Sequence, residues 1–479
     1  MICLQKKEGK DRAKLWVLSE NKSNLTKIFS KTKAQWIENH LTDNEKDIFV
    51  FNTINAPLEI FIRPNRKDSI LEKQLENCRI LASKALPYFE NENCKEVEII
   101  GDLGKKHFLA TAEGLSLSAY RFTKYFTDSD EKKAKLQKIF ILSEDLSEEE
   151  IETQNIVVDA VKKVRDWVNE PASYLTATSF AREMAEFARQ AGASVEIMNR
   201  KKIEALKMGG LLAVNQGSED PPTFTVIEWN PKNAVNKKPV VLVGKGVTFD
   251  TGGSNLKPER YMDEMKTDMA GAATVTAAIC AVAKSNLPVY VVALMPATDN
   301  RISNHSFLPS DVITMHNGKT VEVANTDAEG RLILADAISY AARFNPILII
   351  DLATLTGAAA RAIGKYGIVG MGNAQKELNE LIKCSFEVYE RIAEFPFWDD
   401  YAKELKSDIA DMKNLGGAEG GAISAGKFLE KFTNAPYIHL DIAGCAYLSK
   451  PNDWKTAGGT GTGVRLLYRF LEKIGKMGM

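Results

Sequence analysis

The first 150 residues alternate short apolar runs with longer amphipathic stretches. Apolar runs of strand length lie at residues 47–51, 97–100 and 138–142, and amphipathic stretches with a helical period lie at residues 70–88 and 115–126. Strands that alternate with helices are typical of α/β folds, because each helix covers one face of the sheet. We therefore predict a small N-terminal α/β domain over residues 1–150.

The rest of the chain repeats this alternation on a larger scale. An acidic run at residues 143–152 and an amphipathic stretch at residues 156–168 predict a linker helix, which we assign to residues 151–170. Further strand-like apolar runs lie at residues 194–198, 239–243, 289–295, 347–350 and 437–440. Apolar runs separated by helical segments are typical of parallel strands that are covered on both faces. Residues 171–479 are thus predicted to form a larger C-terminal domain with a mainly parallel sheet covered by helices.

Two loops of the larger domain combine glycine with charged residues. Ligands of parallel sheets bind beyond the carboxyl ends of the strands, so chemistry is expected in such loops. Residues 243–253 read Val-Gly-Lys-Gly-Val-Thr-Phe-Asp-Thr-Gly-Gly, with Lys257 and Asp268 soon after, and residues 325–331 read Asn-Thr-Asp-Ala-Glu-Gly-Arg. A glycine-rich loop often only turns the chain, and a lone Asp-x-Glu is often a solvated pair. Neither segment defines a site by itself.

The carboxylates of these segments could together hold divalent cations. Asp327 and Glu329 are two positions apart, so both side chains point the same way in extended chain. The sequence has only five histidines, none of them near either segment, which argues against a histidine-rich zinc site. With Asp250 and Asp268 the chain offers four carboxylates, enough to hold two ions such as Mn, Mg or Zn.

The lysines of the first segment suit two different roles. Lys245 could ligate a metal only as a neutral amine, which requires a lowered pKa. Lys257, if it stays charged, would polarise a scissile carbonyl and stabilise the gem-diolate that forms from it. Both could equally be surface lysines, which is the ordinary position of this residue type.

Charge and composition exclude several classes of protein. The formal net charge is -1, so no global field attracts nucleic acid or an anionic membrane. Residues 1–35 are an exception, with nine Lys or Arg against three acidic residues. Residues 1–19 lack the apolar core of a secretion signal, and no apolar run reaches the roughly 20 residues that span a bilayer. Because the six cysteines form no CxxC pair, we expect a cytoplasmic protein with reduced thiols. The net charge and the lack of a spanning apolar run predict no membrane partner.

Three segments resemble the signature blocks of the leucyl aminopeptidase (cytosol aminopeptidase, M17-type) family. They are residues 243–258, 265–273 and 321–336, and the run Asn-Thr-Asp-Ala-Glu-Gly-Arg-Leu is highly specific. Further similarity lies at residues 166–175, 351–357, 407–427 and 439–446. The resemblance thus covers the chain from about residue 160 onward, whereas the first 150 residues resemble the family only in size and α/β character.

The resemblance implies a role for each candidate site residue. The family's metal ligands fall on Lys245, Asp250, Asp268, Asp327 and Glu329, of which Asp250 and Glu329 would bridge two ions. Its catalytic residues fall on Lys257 and on Arg331, which in relatives holds a bicarbonate ion that serves as general base. Its pocket for the first side chain, which tends to accept Leu and Met, falls on Met265, Thr354, Gly357 and Ala446. Ser254-Asn255 departs from the usual apolar-Ser pair but leaves the lysines and acids in register.

The resemblance also implies cofactors, partners and an activity. Two divalent ions per subunit, Mn or Zn with Mg or Co as alternatives, would activate a water that hydrolyses the N-terminal peptide bond of short peptides. Most relatives are homohexamers. Two alternatives stay open. One is a dinuclear phosphoesterase, because the same pair of ions can act on phosphate esters. The other is an added DNA-binding role, which the basic residues 1–35 favour and the near-zero net charge disfavours.

Overall fold

The computed structural model describes residues 1–9, 11–19, 25–41, 46–53, 56–64 and 69–477. Contacts divide the chain into two compact units. The first consists of Met1–Val158 and Lys450–Ala457, and the second of Asp159–Ser449 and Gly458–Met479. The segment Lys450–Ala457 therefore belongs with residues that are far from it in sequence. Of the basic residues near the start of the chain, Lys10 and Lys22 lie outside the described residues.

The first unit is built around a six-stranded sheet. Its strands are β1 (Ile2–Gln5), β2 (Ala13–Val17), β3 (Ile48–Phe51), β4 (Glu59–Ile62), β5 (Glu96–Gly101) and β6 (Lys138–Leu142). The strand order is β1-β6-β5-β2-β4-β3, and every pairing is parallel except that of β3 with β4. Its helices are α1 (Leu25–Ile28), α2 (Lys31–Leu41), α3 (Leu71–Asn91), α4 (Lys105–Ser118), α5 (Ser129–Lys132) and the start of α6 (Glu148–Asn169). The predicted α/β character of this part of the chain is confirmed.

One helix of the first unit differs from the prediction. The helix expected at residues 115–126 is α4, which begins at Lys105 and ends at Ser118. Phe108 and Leu117 in its interior are buried, whereas Tyr125 and Phe126, which extend the apolar pattern beyond it, are each 53% exposed. The prediction was wrong because apolar spacing does not show which side chains are covered, so exposed aromatic residues prolonged the helical pattern.

The second unit contains the remaining elements. Its strands are β7 (Ser194–Met198), β8 (Thr223–Trp229), β9 (Val240–Gly244), β10 (Gly246–Asp250), β11 (Val291–Asn300), β12 (Val312–Thr314), β13 (Thr320–Glu322), β14 (Leu348–Ala353), β15 (Ile368–Gly372), β16 (Ile392–Glu394), β17 (Met412–Lys413), β18 (Tyr437–Asp441), β19 (Tyr447–Leu448) and β20 (Gly458–Gly459). Its helices, after the end of α6, are α7 (Ala177–Gln190), α8 (Arg200–Ala205), α9 (Gly209–Asn215), α10 (Glu259–Met262), α11 (Ala270–Lys284), α12 (Gly330–Tyr340), α13 (Gly357–Ile363), α14 (Gln375–Glu387), α15 (Asp400–Lys403), α16 (Gly421–Glu430) and α17 (Val464–Met477). Within the described ranges, every helix is too short or too polar to traverse a lipid bilayer.

The main sheet of the second unit has nine strands and a parallel centre. The order is β16-β15-β18-β14-β9-β11-β8-β7, with β10 paired to β11 beside this path. Strands β18, β14, β9 and β11 run parallel, and antiparallel pairings occur toward the edges. Every residue of β9 and β14 is buried, and α11 and α12 pack on these strands. The predicted mainly parallel, helix-covered sheet is confirmed, and its burial explains the continuous apolar runs.

The carboxyl ends of the parallel strands lie together. Gly244 at the end of β9 is in register with Leu352 of β14, and Ala353 of β14 with Asp441 of β18. Strands β10 and β11 end side by side at Asp250 and Asn300. The loops that follow these strands therefore start at one edge of the sheet, which is where parallel sheets bind ligands.

Candidate active site

Lys245 is buried between the end of β9 and the start of β10. Its Nζ lies 2.7 Å from Oδ2 of Asp268 and 3.0 Å from Oε1 of Glu329. The same group donates a hydrogen bond of 3.0 Å to the carbonyl oxygen of Thr354. Glycine at position 330 permits this arrangement, because a Cβ on Gly330 would lie 2.6 Å from Nζ. Segments from distant parts of the sequence thus converge on one ammonium group.

Lys257 is the centre of a second group of ion pairs. Its Nζ lies 2.7 Å from Oδ2 of Asp250 and is also paired with Oδ1 of Asp327. The turn that precedes it contains Gly252, whose φ of +87° falls in the left-handed region that favours glycine. The backbone N–H of Lys257 closes this turn by donating to the carbonyl oxygen of Thr251 at 2.9 Å.

Three carboxylates, here named the carboxylate cluster, meet between the two lysines. Asp250, Asp327 and Glu329 each offer one oxygen, and the three oxygens lie within 4.8 Å of one another. Asp250 and Glu329 are buried, whereas Asp327 is exposed and opens the cluster to solvent. Oε2 of Glu329 is buried without a hydrogen-bond partner among the described residues. Because a buried carboxylate oxygen without a partner is unfavourable and a cation would satisfy it, the residues fit a metal ion.

The two lysines are held in their charged forms. Burial favours the neutral amine of Lys245, but the carboxylates of Asp268 and Glu329 outweigh it and raise the pKa. The pKa of Lys257 is raised in the same way, because Asp250 and Glu329 outweigh burial. The protein's own charges therefore keep both lysines protonated, and a neutral Lys245 requires the field of a cation in addition.

The acidic groups are crowded together in a largely buried space. Burial raises the pKa of Asp250 and of Asp268, and burial with the neighbouring Asp250 raises the pKa of Asp327 to about 7. Burial acts on Glu329 as well, but Lys245 and Lys257 outweigh it and hold its pKa below the ordinary value. Four carboxylates share two ammonium groups, which leaves the excess of negative charge that attracts divalent cations.

Arg331 is the second residue of α12 and is buried. Its Nη1 donates to the carbonyl oxygen of Asn414 at 2.7 Å, while its Nε has no hydrogen-bond partner in the part of the chain that the structure describes. Burial lowers the pKa of Arg331 to about 10, although Glu329 and Asp441 act in the opposite direction. A buried guanidinium with a free N–H is suited to hold an anion.

The four residues expected to form the side-chain pocket lie on different elements. The hydroxyl of Thr354, just after β14, donates to Oδ1 of Asp268 at 2.8 Å. Met265 begins the 3₁₀ turn that leads into Asp268, Gly357 begins α13, and Ala446 is buried just before β19. Thr354 hydrogen-bonds to two of the expected metal ligands, because its carbonyl oxygen accepts from Lys245 and its hydroxyl donates to Asp268.

Three buried polar residues hold the site and were not predicted from the sequence. Nδ2 of Asn300 donates to Oδ1 of Asp250 at 2.8 Å. Nδ2 of Asn414 donates to the carbonyl oxygen of Asn325 at 2.7 Å, and Asp441 accepts hydrogen bonds from the loop after β14. Asn300 and Asp441 each end a parallel strand, and this position could have singled them out. Asn414 carries no such signal.

A family model decides what kind of protein has this site. The model of the cytosol aminopeptidase family, catalytic domain, matches residues 162–468. The chain belongs to the cytosol aminopeptidase family.

Individual relatives agree with this assignment. A probable cytosol aminopeptidase of Chlorobium phaeobacteroides is 44% identical over 399 residues, which are 80% of this chain and 79% of the relative. A probable cytosol aminopeptidase of Chlorobaculum tepidum is 50% identical over 313 residues, 65% of this chain and 62% of the relative. The solved structure of the bottromycin maturation enzyme BotP in complex with Mn is 26% identical, with a TM-score of 0.86 over 98% of this chain and 100% of that chain.

The family membership expected from the sequence is confirmed, and so is the prediction of a peptidase enzyme. The matched region contains every predicted site residue, from Lys245 to Ala446. A metal-dependent aminopeptidase accounts for the carboxylate cluster, whose residues fit a metal ion. Membership of this family favours peptide bonds over phosphate esters as the substrate.

Proposed function

We propose that this protein removes single residues from the amino ends of short peptides with the help of two divalent ions. The observation that carries the proposal is the carboxylate cluster, whose three oxygens lie within 4.8 Å of one another beside the buried Lys245 and the half-buried Lys257. Dinuclear hydrolases hold their two ions about 3.5 to 4 Å apart. Carboxylate oxygens that lie as close together as those of the carboxylate cluster can bridge such a pair of ions.

The proposed ligands of the two ions are Lys245, Asp250, Asp268, Asp327 and Glu329. Asp250 and Glu329 suit the bridging positions, because one contacts Lys257 and the other contacts Lys245, which places them between the two ion-pair groups. Ligands of this kind accept Mn and Zn, with Mg and Co as alternatives. The relative BotP is described in complex with Mn, which favours manganese here.

When bound, the two ions would polarise the scissile carbonyl and lower the pKa of a water molecule. Lys257 is held charged by its neighbours, so its Nζ can donate to the carbonyl oxygen as negative charge develops there. Arg331 has a free Nε in a buried setting and would hold a bicarbonate ion, which would serve as the general base. Lys257 and Arg331 would thus supply positive charge at two fixed positions of the site.

We assign the pocket for the first side chain to Met265, Thr354, Gly357 and Ala446. Gly357 and Ala446 are small and Met265 is apolar and adaptable, so the pocket suits Leu and Met side chains. A homohexameric assembly and a cytoplasmic location belong to the same proposal and rest on membership of the family.

Hydrolysis of leucine p-nitroanilide by chelator-treated protein, with Mn, Zn, Co or Mg added back, tests the proposal. We expect added metal to restore turnover in the unaltered chain but not in an Asp327→Ala variant. An Asp400→Ala variant is the matched control, because Asp400 is an aspartate whose side chain is 75% exposed on α15. It should respond to metal as the unaltered chain does.

Two further substrates sharpen this test. N-acetyl-leucine p-nitroanilide should not be cleaved, since its amino end is blocked, and p-nitrophenyl phosphate should not be turned over. Metal-independent turnover, or cleavage of the phosphate ester in place of the leucine substrate, would overturn the proposed function.

A further inference from the structure

Asn300 is fully buried at the end of β11 and contacts two of the segments that carry proposed metal ligands, the end of β10 and the loop of residues 325–329. Its Nδ2 donates to Oδ1 of Asp250 at 2.8 Å and to the carbonyl oxygen of Thr326 at 3.1 Å. The backbone carbonyl oxygen of Asn300 accepts hydrogen bonds from the N–H and the hydroxyl of Thr251, at 2.9 and 2.8 Å. One residue therefore joins the loop after β10 to the loop of residues 325–329.

The amide of Asn300 determines which oxygen of Asp250 is available to other partners. Oδ1 accepts from Nδ2 of Asn300 and from the N–H of Gly252, both at 2.8 Å. Oδ2 is the oxygen that faces Lys257, at 2.7 Å. Since Asn300 is neutral, it orients the carboxylate and leaves its negative charge for a cation.

The other end of the same amide makes no comparable contact. Oδ1 of Asn300 is buried and has no hydrogen-bond partner within the described chain. Gly253, with a φ of +65°, leaves space beside it, because a Cβ there would lie 2.8 Å from this oxygen. An unpaired buried amide oxygen is destabilising, so the favourable contacts of this side chain come from the hydrogen bonds that its Nδ2 donates.

We propose that Asn300 is a positioning residue of the metal site. It fixes Asp250 and the backbone at Thr326 relative to each other, so that ligands from the two loops reach the ions together. This inference rests on the proposed two-metal function. It predicts that loss of the amide donor weakens metal binding first and turnover as a consequence.

Calorimetric titration of Mn into chelator-treated Asn300→Leu protein tests the inference, because leucine approximates the shape of asparagine without its donor. We expect Mn affinity to fall by about 10- to 100-fold, the usual effect of removing a group that orients metal ligands. At limiting Mn, kcat for leucine p-nitroanilide should fall, and saturating Mn should restore part of it with little change in KM. An Asn300→Ser variant keeps a shorter donor, so its Mn affinity should lie between that of Asn300→Leu and that of the unaltered chain. It provides a second measurement if the leucine variant does not fold.

Asn215→Leu is the matched control. Asn215 is equally buried and its Nδ2 donates to the carbonyl oxygen of Asp220 at 2.8 Å and to Oγ1 of Thr298 at 3.0 Å, away from both ligand loops. Thermal unfolding in chelator should show a loss of stability in both Leu variants, whereas Mn affinity should fall only at position 300. Equal Mn affinity in the Asn300 variants and the unaltered chain overturns the inference alone. Absence of divalent-ion binding by the unaltered chain overturns the proposed function, and the inference with it.

Discussion

The ammonium group of Lys245 lies 2.7 Å from Oδ2 of Asp268, and both residues are buried. The contact joins the residue between β9 and β10 to the residues that lead into α11, and each side chain neutralises the other. An ammonium group has no lone pair to give to a metal. An ion that takes both residues as ligands must therefore displace the proton of Lys245, which makes this pair a point of competition between proton and metal.

We expect metal binding to release protons. Burial favours neutral Lys245 but its acidic neighbours raise the pKa, and burial raises the pKa of Asp268, so protons on these groups must leave when a cation arrives. Apparent Mn affinity should therefore increase with pH. Calorimetric titrations in buffers of different ionisation enthalpy measure the number of protons released, and a Lys245→Met variant should release fewer. Affinity that is the same in acidic and alkaline buffer, without proton release, would contradict this expectation.

A Gly330→Ala substitution should damage the site and spare the fold. The added Cβ would lie 2.6 Å from Nζ of Lys245, so the lysine must move and its 3.0 Å contact with Glu329 must lengthen. Alanine is a better helix former than glycine, so α12 itself should not be weakened. We expect Mn affinity to fall by about 10-fold or more, as for other disturbances of ligand orientation, with the melting temperature in chelator unchanged.

Gly104→Ala is the control for this substitution. Gly104 precedes α4, and a Cβ there would meet nothing within 4 Å. Its Mn affinity and turnover should match those of the unaltered chain. If both glycine variants bind Mn equally well, the close packing of Lys245 on α12 does not matter for the site.

The buried pair of His439 and Asp351 should make stability depend on pH. Nδ1 of His439 lies 2.8 Å from Oδ1 of Asp351 on the neighbouring strand. Burial alone lowers the pKa of His439, but the carboxylate of Asp351 outweighs it and raises the pKa. Because the pKa of His439 is higher in the folded chain than in the unfolded chain, where it is about 6.5, the protonated pair stabilises the fold. This stabilisation is fully present below the unfolded-state pKa and is lost as pH rises through the folded-state pKa. The free energy of unfolding should fall over this window by at most about 1.4 kcal/mol per pH unit.

Urea unfolding at a series of pH values measures this dependence. A His439→Gln variant should be less stable than the unaltered chain at low pH and should lose this part of the slope. His305→Gln is the control, since His305 is exposed, and it should keep the slope of the unaltered chain. The idea fails if the unaltered chain and the His439 variant have the same pH profile.

Trp454 should be a strong stabilising residue of the first unit. It is 2% exposed, and its Nε1 donates to Oε1 of Glu76 at 2.7 Å. Trp454→Ala should lower the free energy of unfolding by about 3–5 kcal/mol, because it removes a large buried side chain and leaves a carboxylate oxygen without its donor. Urea unfolding followed by circular dichroism measures the loss.

Trp398→Ala provides the comparison for Trp454. Trp398 is 64% exposed, and substitutions at exposed positions usually change stability by less than about 0.5 kcal/mol. Similar losses in the two variants would show that the segment Lys450–Ala457 does not stabilise the first unit.

The sequence by itself determined the elements and the chemical groups of the site. The apolar runs at residues 347–350 and 437–440 predicted strands, and β14 and β18 lie there, because strands buried on both faces need apolar residues throughout. Asp327, Glu329 and Gly330 are neighbours along the chain, so their proximity follows from local backbone geometry. The signature blocks carried the family assignment for the same reason, since each is a continuous segment.

Only the tertiary structure decided which loops meet. Asn300 contacts Asp250 because β11 and β10 are paired and end side by side. Lys245 follows β9 of the main sheet and Glu329 follows β13 of the three-stranded sheet, so their contact joins two sheets. Strand order and register depend on the packing of the whole chain, and no local pattern encodes them. Trp454 shows the same limit, because its segment lies within the sequence of the second unit but packs in the first. A buried position can be recognised from sequence, whereas the side chain that covers it is fixed by the fold.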